Sequence, residues 1–403
     1  MGKLEELIKE LCPNGVEYTT VGKICNISRG VVLSKDYIRD NIGEYPVYSS
    51  QTENDGCLGC INSYKYDGEY ITWTTDGANA GTIFYRTGKF NITNVCGLLE
   101  VIDESVLIKF LFYVLSVEAN KHVSAGMGNP KLMSNVMASI KIPLPPLAVQ
   151  REIVQILDKF TLLSAELTAE LTARRKQYEF YRDKLLQYDI TIPKHLLTEI
   201  FDTRNGYTPS TNNKEFWESN DLPWFRMEDI RENGRILNDA IQHVSFSAVK
   251  GKPFPANSII VSTSATIGEH ALITCESLAN QRFTYLMLKD EFKQKYNIKF
   301  LFYYCYLLDE YCKNNLNQGS FASVDMKKFN NFEFPLPPLD VQERIVNVLE
   351  NFDAICSDLG IGLPAEIEKR QQQYEYYRDK LLTFDLSSTT IYQTDRQTDR
   401  QTP

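Results

Sequence analysis

The chain has 403 residues, of which 43 are basic and 52 acidic, and its formal net charge is −9 at pH 7. This acidity excludes bulk electrostatic attraction as the way to hold nucleic acid, so any DNA contact must use local patches or partner surfaces. The length is sufficient for two or three domains, each with its own core.

Neither membrane insertion nor secretion is indicated. No apolar stretch approaches the roughly 20 residues that span a bilayer, which argues against a membrane partner. The first 15 residues, MGKLEELIKELCPNG, are charged and amphipathic and predict a helix, not a secretion signal. The nine cysteines are scattered, and the CxxC of Cys57 and Cys60 lacks the further ligands of a zinc site. We interpret them as plain thiols and expect a cytoplasmic protein.

Short β-branched and aromatic runs bounded by Gly, Asn and Asp predict strands. They are EYITWTT (69–75), GTIFYRTG (81–88) and NSIIVSTS (257–264). Helices are expected near 106–122 and 297–315, because the sequence KFLFY occurs in both places.

Two long elements each occur twice, about 190 residues apart. Residues 142–160 read IPLPPLAVQREIVQILDKF, and residues 334–352 read FPLPPLDVQERIVNVLENF. Likewise, QYEFYRDKLLQYD (177–189) recurs as QYEYYRDKLLTFD (373–385). We infer a tandem duplication that carries two different globular modules on two copies of one scaffold.

Each PLPP predicts the start of a helix, because proline is tolerated there and not in a helix interior. Residues 147–189 contain neither Gly nor Pro, so they predict one helix of about 40 residues. In the second copy, GIGLP (360–364) predicts a break into helices at about 339–359 and 365–384. A kinked continuous helix is the alternative.

The apolar stripes of the two copies predict that their helices pair with each other as an antiparallel coiled coil. The predicted seam residues are Phe160, Leu163, Leu167, Leu171, Tyr178, Tyr181, Leu185, Phe352, Tyr374, Tyr377 and Leu381. Charged neighbours at 182–184 are available to face partner subunits.

The predicted fold class is α+β, with two globular domains separated by an antiparallel pair of long helices and an internal pseudo-twofold repeat. The first domain, with its N-terminal helix, spans 1–141, and the first helical spacer spans 142–189. The second domain spans 190–333 and the second spacer 334–386. The tail, 387–403, is polar and repeats TDRQ, so we predict that it is disordered.

The PLPPLxxQ blocks, the QYExYRDKLL segments and the TAEL tetrad at 168–171 together resemble the specificity (S) subunits of type I restriction–modification systems. The resemblance covers residues 1–386. It implies two target recognition domains that each read half of a split sequence of double-stranded DNA. It also implies two helical regions that bind two methyltransferase (M) subunits, which endonuclease (R) subunits join for restriction. The second copy departs from the first by carrying GLPAEIE (362–368) in place of tetrads.

DNA-contacting loops are predicted in both domains, since Arg and Lys suit guanine, Asn and Gln suit adenine, and hydroxyls suit phosphate. In the first domain the candidates are Ser49, Ser50, Gln51, Thr52, Thr74, Thr75, Asp76, Asn79, Asn129 and Lys131. In the second they are Arg204, Arg226, Ser264, Thr266, Gln281, Arg282, Ser320 and Ser323. Each residue taken singly remains open to being an ordinary turn residue. Trp73 and Trp224 are interpreted as core, with base contact as the alternative.

Catalytic signatures are absent from the sequence. It contains no GxxxxGK[ST] or GxGxxG loop and no Asn-Pro-Pro-Tyr-type methyltransferase motif. The four histidines are far apart in the sequence, and the carboxylate pair Asp309–Glu310 is interpreted as solvated. We predict a non-catalytic subunit without a metal or cofactor of its own. The resemblance implies S-adenosylmethionine, ATP and Mg²⁺ on partner subunits. The alternative function is a two-module coiled-coil scaffold that binds proteins and not DNA.

The tetrads predict that the long helix acts as a ruler, whose length sets the distance between the two half-sites on DNA. Half-sites read from one face of DNA lie roughly 34 Å apart, and one further tetrad adds about 6 Å of helix. Inserting Thr-Ala-Glu-Leu after Leu171 is expected to lengthen the non-specific gap between the half-sites and to leave both half-sites unchanged. Methylation-site mapping measures this, and an unchanged gap would contradict a ruler.

Overall fold

The computed structural model describes residues 2–124, 128–188, 191–317, 322–357 and 362–384. The chain divides into two units, Met1–Thr168 with Glu366–Pro403, and Ala169–Ala365. Each unit combines one globular module with parts of both repeated helical segments. The candidate Ser320 and the tail at 387–403, predicted to be disordered, lie outside the described residues.

The first unit is built on a mixed sheet with helices beside it. Its strands are β1 (Tyr18–Thr20), β2 (Cys25–Arg29), β3 (Ile42–Tyr48), β4 (Cys57–Ile61), β5 (Tyr66–Thr74), β6 (Ile83–Ile92), β7 (Cys96–Val101) and β8 (Lys141–Pro143). Its helices are α1 (Gly2–Leu11), α2 (Val21–Ile24), α3 (Lys35–Asp40), α4 (Ile108–Glu118) and α5 (Ser134–Ser139). Six strands form one sheet in the order β2-β7-β5-β6-β3-β4, and β1 pairs with β8.

The core of the first unit surrounds Trp73 on β5. Its indole is fully buried, and its Nε1–H donates to the carbonyl oxygen of Leu132 at 2.9 Å. Gly97 on β7 faces the ring, because a Cβ there would lie 2.2 Å from it. The interpretation of Trp73 as core is therefore confirmed.

The repeated scaffold continues as helix α6 (Leu147–Leu185), which contributes to both units. Its 39 residues confirm the prediction of one uninterrupted helix.

The second unit contains a five-stranded sheet and a three-stranded sheet. Its strands are β9 (Lys194–Leu196), β10 (Phe201–Asn205), β11 (Leu222–Phe225), β12 (Ile236–Leu237), β13 (His243–Val244), β14 (Ser258–Ser262), β15 (His270–Ile273), β16 (Leu278–Ala279), β17 (Phe283–Leu288) and β18 (Glu333–Pro335). Its helices are α7 (Leu197–Ile200), α8 (Met227–Asn233), α9 (Ile298–Asn314), α10 (Met326–Asn330) and α11 (Leu339–Ser357). The sheet orders are β10-β17-β14-β15-β12 and β13-β11-β16, and β18 pairs with β9.

The second copy of the long helix is interrupted, as its Gly and Pro residues predict. Helix α11 ends at Ser357, and α12 (Leu363–Leu382) follows. Gly362, directly before α12, is a bend and not helical. The alternative of one kinked continuous helix is therefore wrong. Among the described helices, none is long and apolar enough to cross a membrane.

A buried glutamine attaches the module of each unit to its long helix. In the first unit, Gln150 accepts a hydrogen bond from the Leu107 N–H and donates to the carbonyls of Ser105 and Pro145, each at 2.8 Å. The side chain is 0% exposed. Its amide thus saturates the backbone just before α4 and the start of α6 at once.

The second unit repeats this contact atom for atom. Gln342 accepts from the Asn297 N–H at 2.8 Å and donates to Lys295 and Pro337 carbonyls at 3.0 and 2.8 Å. This shared geometry gives the PLPPLxxQ motif its physical reason, since the prolines start the helix and the glutamine ties that start to the module.

A second repeated contact lies beyond the glutamine. Lys109 on α4 pairs with Asp158 on α6 at 2.7 Å, and Lys299 on α9 pairs with Glu350 on α11. Tyr113 adds a hydrogen bond to Asp158 at 2.7 Å. Both contacts join the last long helix of a module to the helix that follows it.

Replacing Gln150 with Ala is expected to lower the free energy of unfolding by about 3 kcal/mol, because three backbone groups lose the hydrogen-bond partner that this buried side chain supplies. Urea unfolding measures the change. Gln155→Ala, on the same helix but exposed, is the matched control and is expected to cost less than about 0.5 kcal/mol. Equal effects of the two substitutions would contradict the role of Gln150.

Candidate nucleic-acid interface

The predicted loops of the first unit come together at one end of its sheet. Thr93 donates a hydrogen bond to the Ser49 hydroxyl at 2.9 Å, and Asn79 Nδ2 lies 3.5 Å from the Ser50 carbonyl. Asp76 and Lys131 form a β-bridge and an ion pair of 3.7 Å. Residues that are 82 positions apart in the sequence, from 49 to 131, therefore share one surface.

Arg29, which the sequence analysis did not select, contacts Thr75 and Asp76 of this surface. Its Nη2 donates to Thr75 Oγ1 at 2.8 Å and to Asp76 Oδ2 at 3.2 Å. The Thr75 hydroxyl donates to the same carboxylate oxygen at 2.6 Å. Arg29 and Lys131 therefore share the charge of Asp76. The sequence offered only an arginine directly before Gly30, and no strand was predicted there.

Arg86 holds the turn that carries the first loop. Its side chain is 2% exposed and its guanidinium carbon lies 3.6 Å from the centre of the Tyr48 ring. It donates to the Asp55 carboxylate at 2.5 Å and to the Asp55 carbonyl at 2.8 Å. Asn54 and Asp55 are both left-handed, at φ 50° and 52°, a conformation that these two residue types tolerate. Nothing in the sequence distinguished Arg86 from a solvent-facing strand residue.

Two of the residues that were predicted to contact DNA in the first unit are buried, so the prediction is wrong for them. Thr74 and Thr75 are both 0% exposed, so neither hydroxyl can reach a base directly. The segment around Leu132 covers the end of β5: the Leu132 N–H bonds the Thr75 carbonyl at 2.9 Å. The Thr75 hydroxyl instead accepts a hydrogen bond from Arg29.

The remaining candidates of the first unit are accessible. Thr52 and Asn129 are exposed. Gln51 is half-buried, and its Nε2 donates to the Cys57 carbonyl at 2.5 Å, so its carbonyl oxygen remains for another donor.

The predicted residues of the second unit also gather at one sheet end. Ser264 follows β14 and forms a β-bridge with Ser323, and Thr266 lies two residues further on. Gln281 and Arg282 are exposed and directly precede β17, which pairs antiparallel with β14.

Arg226 is tied to the same end by the backbone, since the Asn280 N–H bonds the Phe225 carbonyl at 3.0 Å. Its Nε is buried without a hydrogen-bond partner among the described residues, and its guanidinium carbon lies 5.7 Å from the Trp224 ring. Trp224 itself is 6% exposed, which confirms its interpretation as core.

Arg204, the remaining predicted residue, is engaged within its own module. It donates to the Lys252 carbonyl at 2.9 Å and stacks 4.0 Å above the Phe254 ring. These contacts leave it exposed but hold its position on β10.

A cavity of about 420 Å³ opens beside Arg226. Trp217 and Trp224 form its aromatic wall, with ring centres 4.9 Å apart. Both indole N–H groups already donate to backbone carbonyls, those of Ser210 and Tyr207. The wall therefore offers ring surface, chiefly that of Trp217, and not donors. Lys214 and Arg226 bring positive charge to the lining of the cavity and Glu218 brings negative charge.

The interpretation of Asp309 as a solvated carboxylate is wrong. Asp309 is 3% exposed and bonds the Nδ1 of the fully buried His270 at 2.6 Å. Arg235 lies 3.7 Å from the same carboxylate oxygen. Helix α9 packs directly on β15, so the side of the helix that bears Asp309 is covered. The apolar pattern of α9 alone did not reveal this pairing.

Among the residues that the structure describes, no group of three or more His, Cys, Asp or Glu side chains is arranged to hold a metal ion. All nine cysteines are free thiols. Burial raises the pKa of the Cys25 thiol to about 12 and also raises the pKa of Cys60, with a further contribution from Cys57.

The fold and its surfaces define a duplicated α+β protein in which two modules present cationic and amide side chains at equivalent sheet ends. Residues 13–174 and 194–369 both match the family described as the type I restriction modification DNA specificity domain. These matches cover more than half of the chain, and the chain belongs to this family.

Two curated relatives illustrate the family. The specificity subunit of the type I restriction enzyme EcoprrI of Escherichia coli is 55% identical over 196 residues, which are 47% of this chain and 49% of that protein. This chain thus matches about half of that relative's length. The EcoR124I/EcoR124II specificity subunit of Escherichia coli is 36% identical over 306 residues, 71% of this chain and 73% of that protein.

Solved structures share the fold. The S subunit of a type I system from M. genitalium has a TM-score of 0.50 at 16% identity, over 92% of this chain and 96% of that chain. A chain of a type I restriction–modification system, solved for its complex assembly and conformational transition, has a TM-score of 0.63 at 16% identity, over 92% and 98%. At this identity the likeness concerns the fold alone.

Replacing Arg86 with Ala is expected to release the turn at 53–56 and to cost about 3 kcal/mol, because Asp55 and two aromatic rings lose a buried partner. Hydrogen exchange of the amides at 51–57 should increase. Lys89→Ala, on the same strand but exposed, is the control. Unchanged exchange in the Arg86 variant would contradict the assignment.

Proposed function

We propose that this chain is the DNA sequence-recognition subunit of a type I restriction–modification complex. Each module reads one half of a bipartite, asymmetric DNA site. The observation that carries the proposal is the contrast between the two units: the glutamine contacts of the scaffold are the same, while the polar side chains at the sheet ends differ. A repeated scaffold that carries two different recognition surfaces suits a DNA site with two different half-sites.

The chemistry of the first unit supports contact with both bases and phosphates. Lys131 is exposed and reaches Asp76 only at 3.7 Å, so it is available for a phosphate. Gln51 and Asn129 add amides, which suit adenine. The side chains stand at strand ends and turns, where a rigid sheet positions them.

The second unit offers the same kinds of group in a different arrangement. Arg282 and Gln281 precede β17, and Arg226 borders the cavity with the tryptophan wall. A guanidinium next to an aromatic wall suits a planar base or a sugar–phosphate edge. We propose that the half-site of this unit is read here.

We propose further that the repeated helices form an antiparallel coiled-coil pair that separates the two recognition domains, with domain boundaries at 1–141 and 190–333. Contacts within each unit support the pairing. Phe352 packs on Tyr178 and Tyr181, with ring centres 6.5 and 6.0 Å apart.

The equivalent contacts of the first unit involve Phe160, whose ring centre lies 6.4 Å from that of Tyr374 and 5.6 Å from that of Tyr377. The remaining predicted seam residues are also at least partly buried, which a seam requires. They are Leu163, Leu167, Leu171, Leu185 and Leu381.

Two equivalent exposed aromatic side chains are proposed to dock the methyltransferase subunits. Phe180 on α6 is 62% exposed and Tyr376 on α12 is 53% exposed, and they occupy the same place in the repeated QYExYRDKLL. A lysine lies over each ring, Lys184 at 5.9 Å and Lys380 at 5.4 Å. One such surface in each unit fits two copies of one partner.

The relatives are specificity subunits, and we propose the same non-catalytic role here, with S-adenosylmethionine, ATP and Mg²⁺ held by partner subunits and the complex acting in the cytoplasm. The alternative, a scaffold that binds only proteins, is not favoured by a family defined by DNA specificity. The net charge of −9 indicates that partners supply much of the grip on phosphate.

The chain alone is therefore expected to bind DNA weakly and to gain sequence-specific affinity when methyltransferase subunits are added. Gel shift on duplexes with and without the mapped methylation site measures both states. A sequence-specific complex in the nanomolar range at physiological salt, formed by the chain alone, would contradict the division of labour.

Truncating either exposed aromatic side chain is expected to weaken assembly by roughly 10-fold or more, as for aromatic anchors at other interfaces. Phe180→Ala and Tyr376→Ala should each remove one of two bound methyltransferase copies, measured by native mass spectrometry. Leu162→Ala, equally exposed on α6 at 60%, is the control. Loss of both copies from one substitution would contradict two separate docking surfaces.

A further inference from the structure

Arg29 and Asn205 occupy the same position in the two units. Strand β2 pairs with β7 in the register Arg29↔Gly97, and β10 pairs with β17 in the register Asn205↔Thr284. Each is the last residue of a five-residue strand that pairs with a six-residue strand. The repeat therefore places one arginine and one asparagine at equivalent sheet ends.

The glycines that follow confirm the equivalence. A Cβ at Gly30 would lie 2.1 Å from the Ile92 carbonyl oxygen, and a Cβ at Gly206 would lie 2.4 Å from that of Ala279. In both units the chain after the strand end thus passes against another backbone, which leaves no room for a side chain. This close approach fixes the course of the backbone at the preceding residue, which is Arg29 in one unit and Asn205 in the other.

Arg29 is held in one orientation and still has donors to offer. Its Nη2 donates to Thr75 Oγ1 at 2.8 Å and to Asp76 Oδ2 at 3.2 Å. Among the described residues, the Nη1 group has no hydrogen-bond partner, and the side chain is 35% exposed. A guanidinium that a carboxylate orients presents its fork at a fixed angle.

Asn205 is held in a comparable way. Its Oδ1 accepts a hydrogen bond from the Thr284 hydroxyl at 2.9 Å, and Thr284 in turn lies 3.0 Å from the Thr263 hydroxyl. The Asn205 side chain is exposed, and its Nδ2 has no partner among the described residues. The carbonyl oxygen retains a second lone pair.

We propose that these two residues determine base specificity, Arg29 for a guanine in one half-site and Asn205 for an adenine in the other. Arginine suits the O6 and N7 acceptors of guanine in the major groove, and asparagine suits the N6 and N7 edge of adenine. The inference rests on the proposed function and assigns residues to it.

A base contact fits Arg29 better than a phosphate contact. Asp76 offsets its charge, which weakens long-range attraction to phosphate, and two hydrogen bonds restrict its motion.

The test uses the complete complex with methyltransferase subunits, and methylation-motif mapping is paired with competition binding on mapped duplexes. Arg29→Ala is expected to relax one guanine position in one half-site, and Asn205→Ala one adenine position in the other, each on the order of 10- to 100-fold. Arg39→Ala and Asn233→Ala, both exposed in the same respective units, are controls expected to keep the motif.

Three results would overturn the proposal: an unchanged motif in either variant, relaxation of the same half-site by both, or a uniform loss of affinity across all sequences. The last would identify a phosphate contact. If Arg29→Ala fails to assemble, Arg29→Lys retains the ion pair with Asp76 and is expected to assemble with a weaker guanine preference. A wild-type complex without a bipartite motif would refute the proposed function itself, whereas a bipartite wild-type motif that the two substitutions leave unchanged would refute only the residue assignment.

Discussion

The structure depends on a buried side-chain amide that satisfies backbone groups from two elements at once. A helix start leaves N–H groups without partners, and a loop that enters a helix leaves carbonyls without partners. Gln150 and Gln342 satisfy both sets in their respective units. Because the amide is buried, losing one contact costs more than a surface hydrogen bond would contribute. The orientation of each module on its helix follows from this geometry.

The same constraint explains how one scaffold carries two different surfaces. Hydrogen bonds between backbone and glutamine do not depend on which side chains stand at the far end of the sheet. The loops at that end are therefore free to differ, and they do: Arg29 with Asp76 in one unit, Asn205 with Thr284 in the other. A rigid sheet end holds these side chains with little freedom of motion, which specific recognition requires.

Ion pairing of a cation at a sheet end has two separate effects: it positions the side chain, and it reduces the attraction of that side chain to DNA. Arg29, at the sheet end of the first unit, is paired with Asp76 at 3.2 Å. Pairing orients a guanidinium but reduces its long-range field, so such a group suits discrimination between bases more than general affinity. An acidic chain with an oriented arginine is consistent with the proposed role, in which partner subunits supply much of the affinity for the DNA backbone.

The sequence by itself determined the duplication, the long helix, the break in its second copy and the approximate positions of β5, β6 and β14, because periodicity, proline and glycine act locally. It also placed Lys131 and Gln281 in polar loops that the structure leaves accessible. Only the tertiary structure decided that Thr75 is buried, that Asp309 pairs with His270, and that Arg29 has an equivalent in the other unit. These facts depend on which elements cover one another and on strand register, and both arise from contacts between residues far apart in the chain.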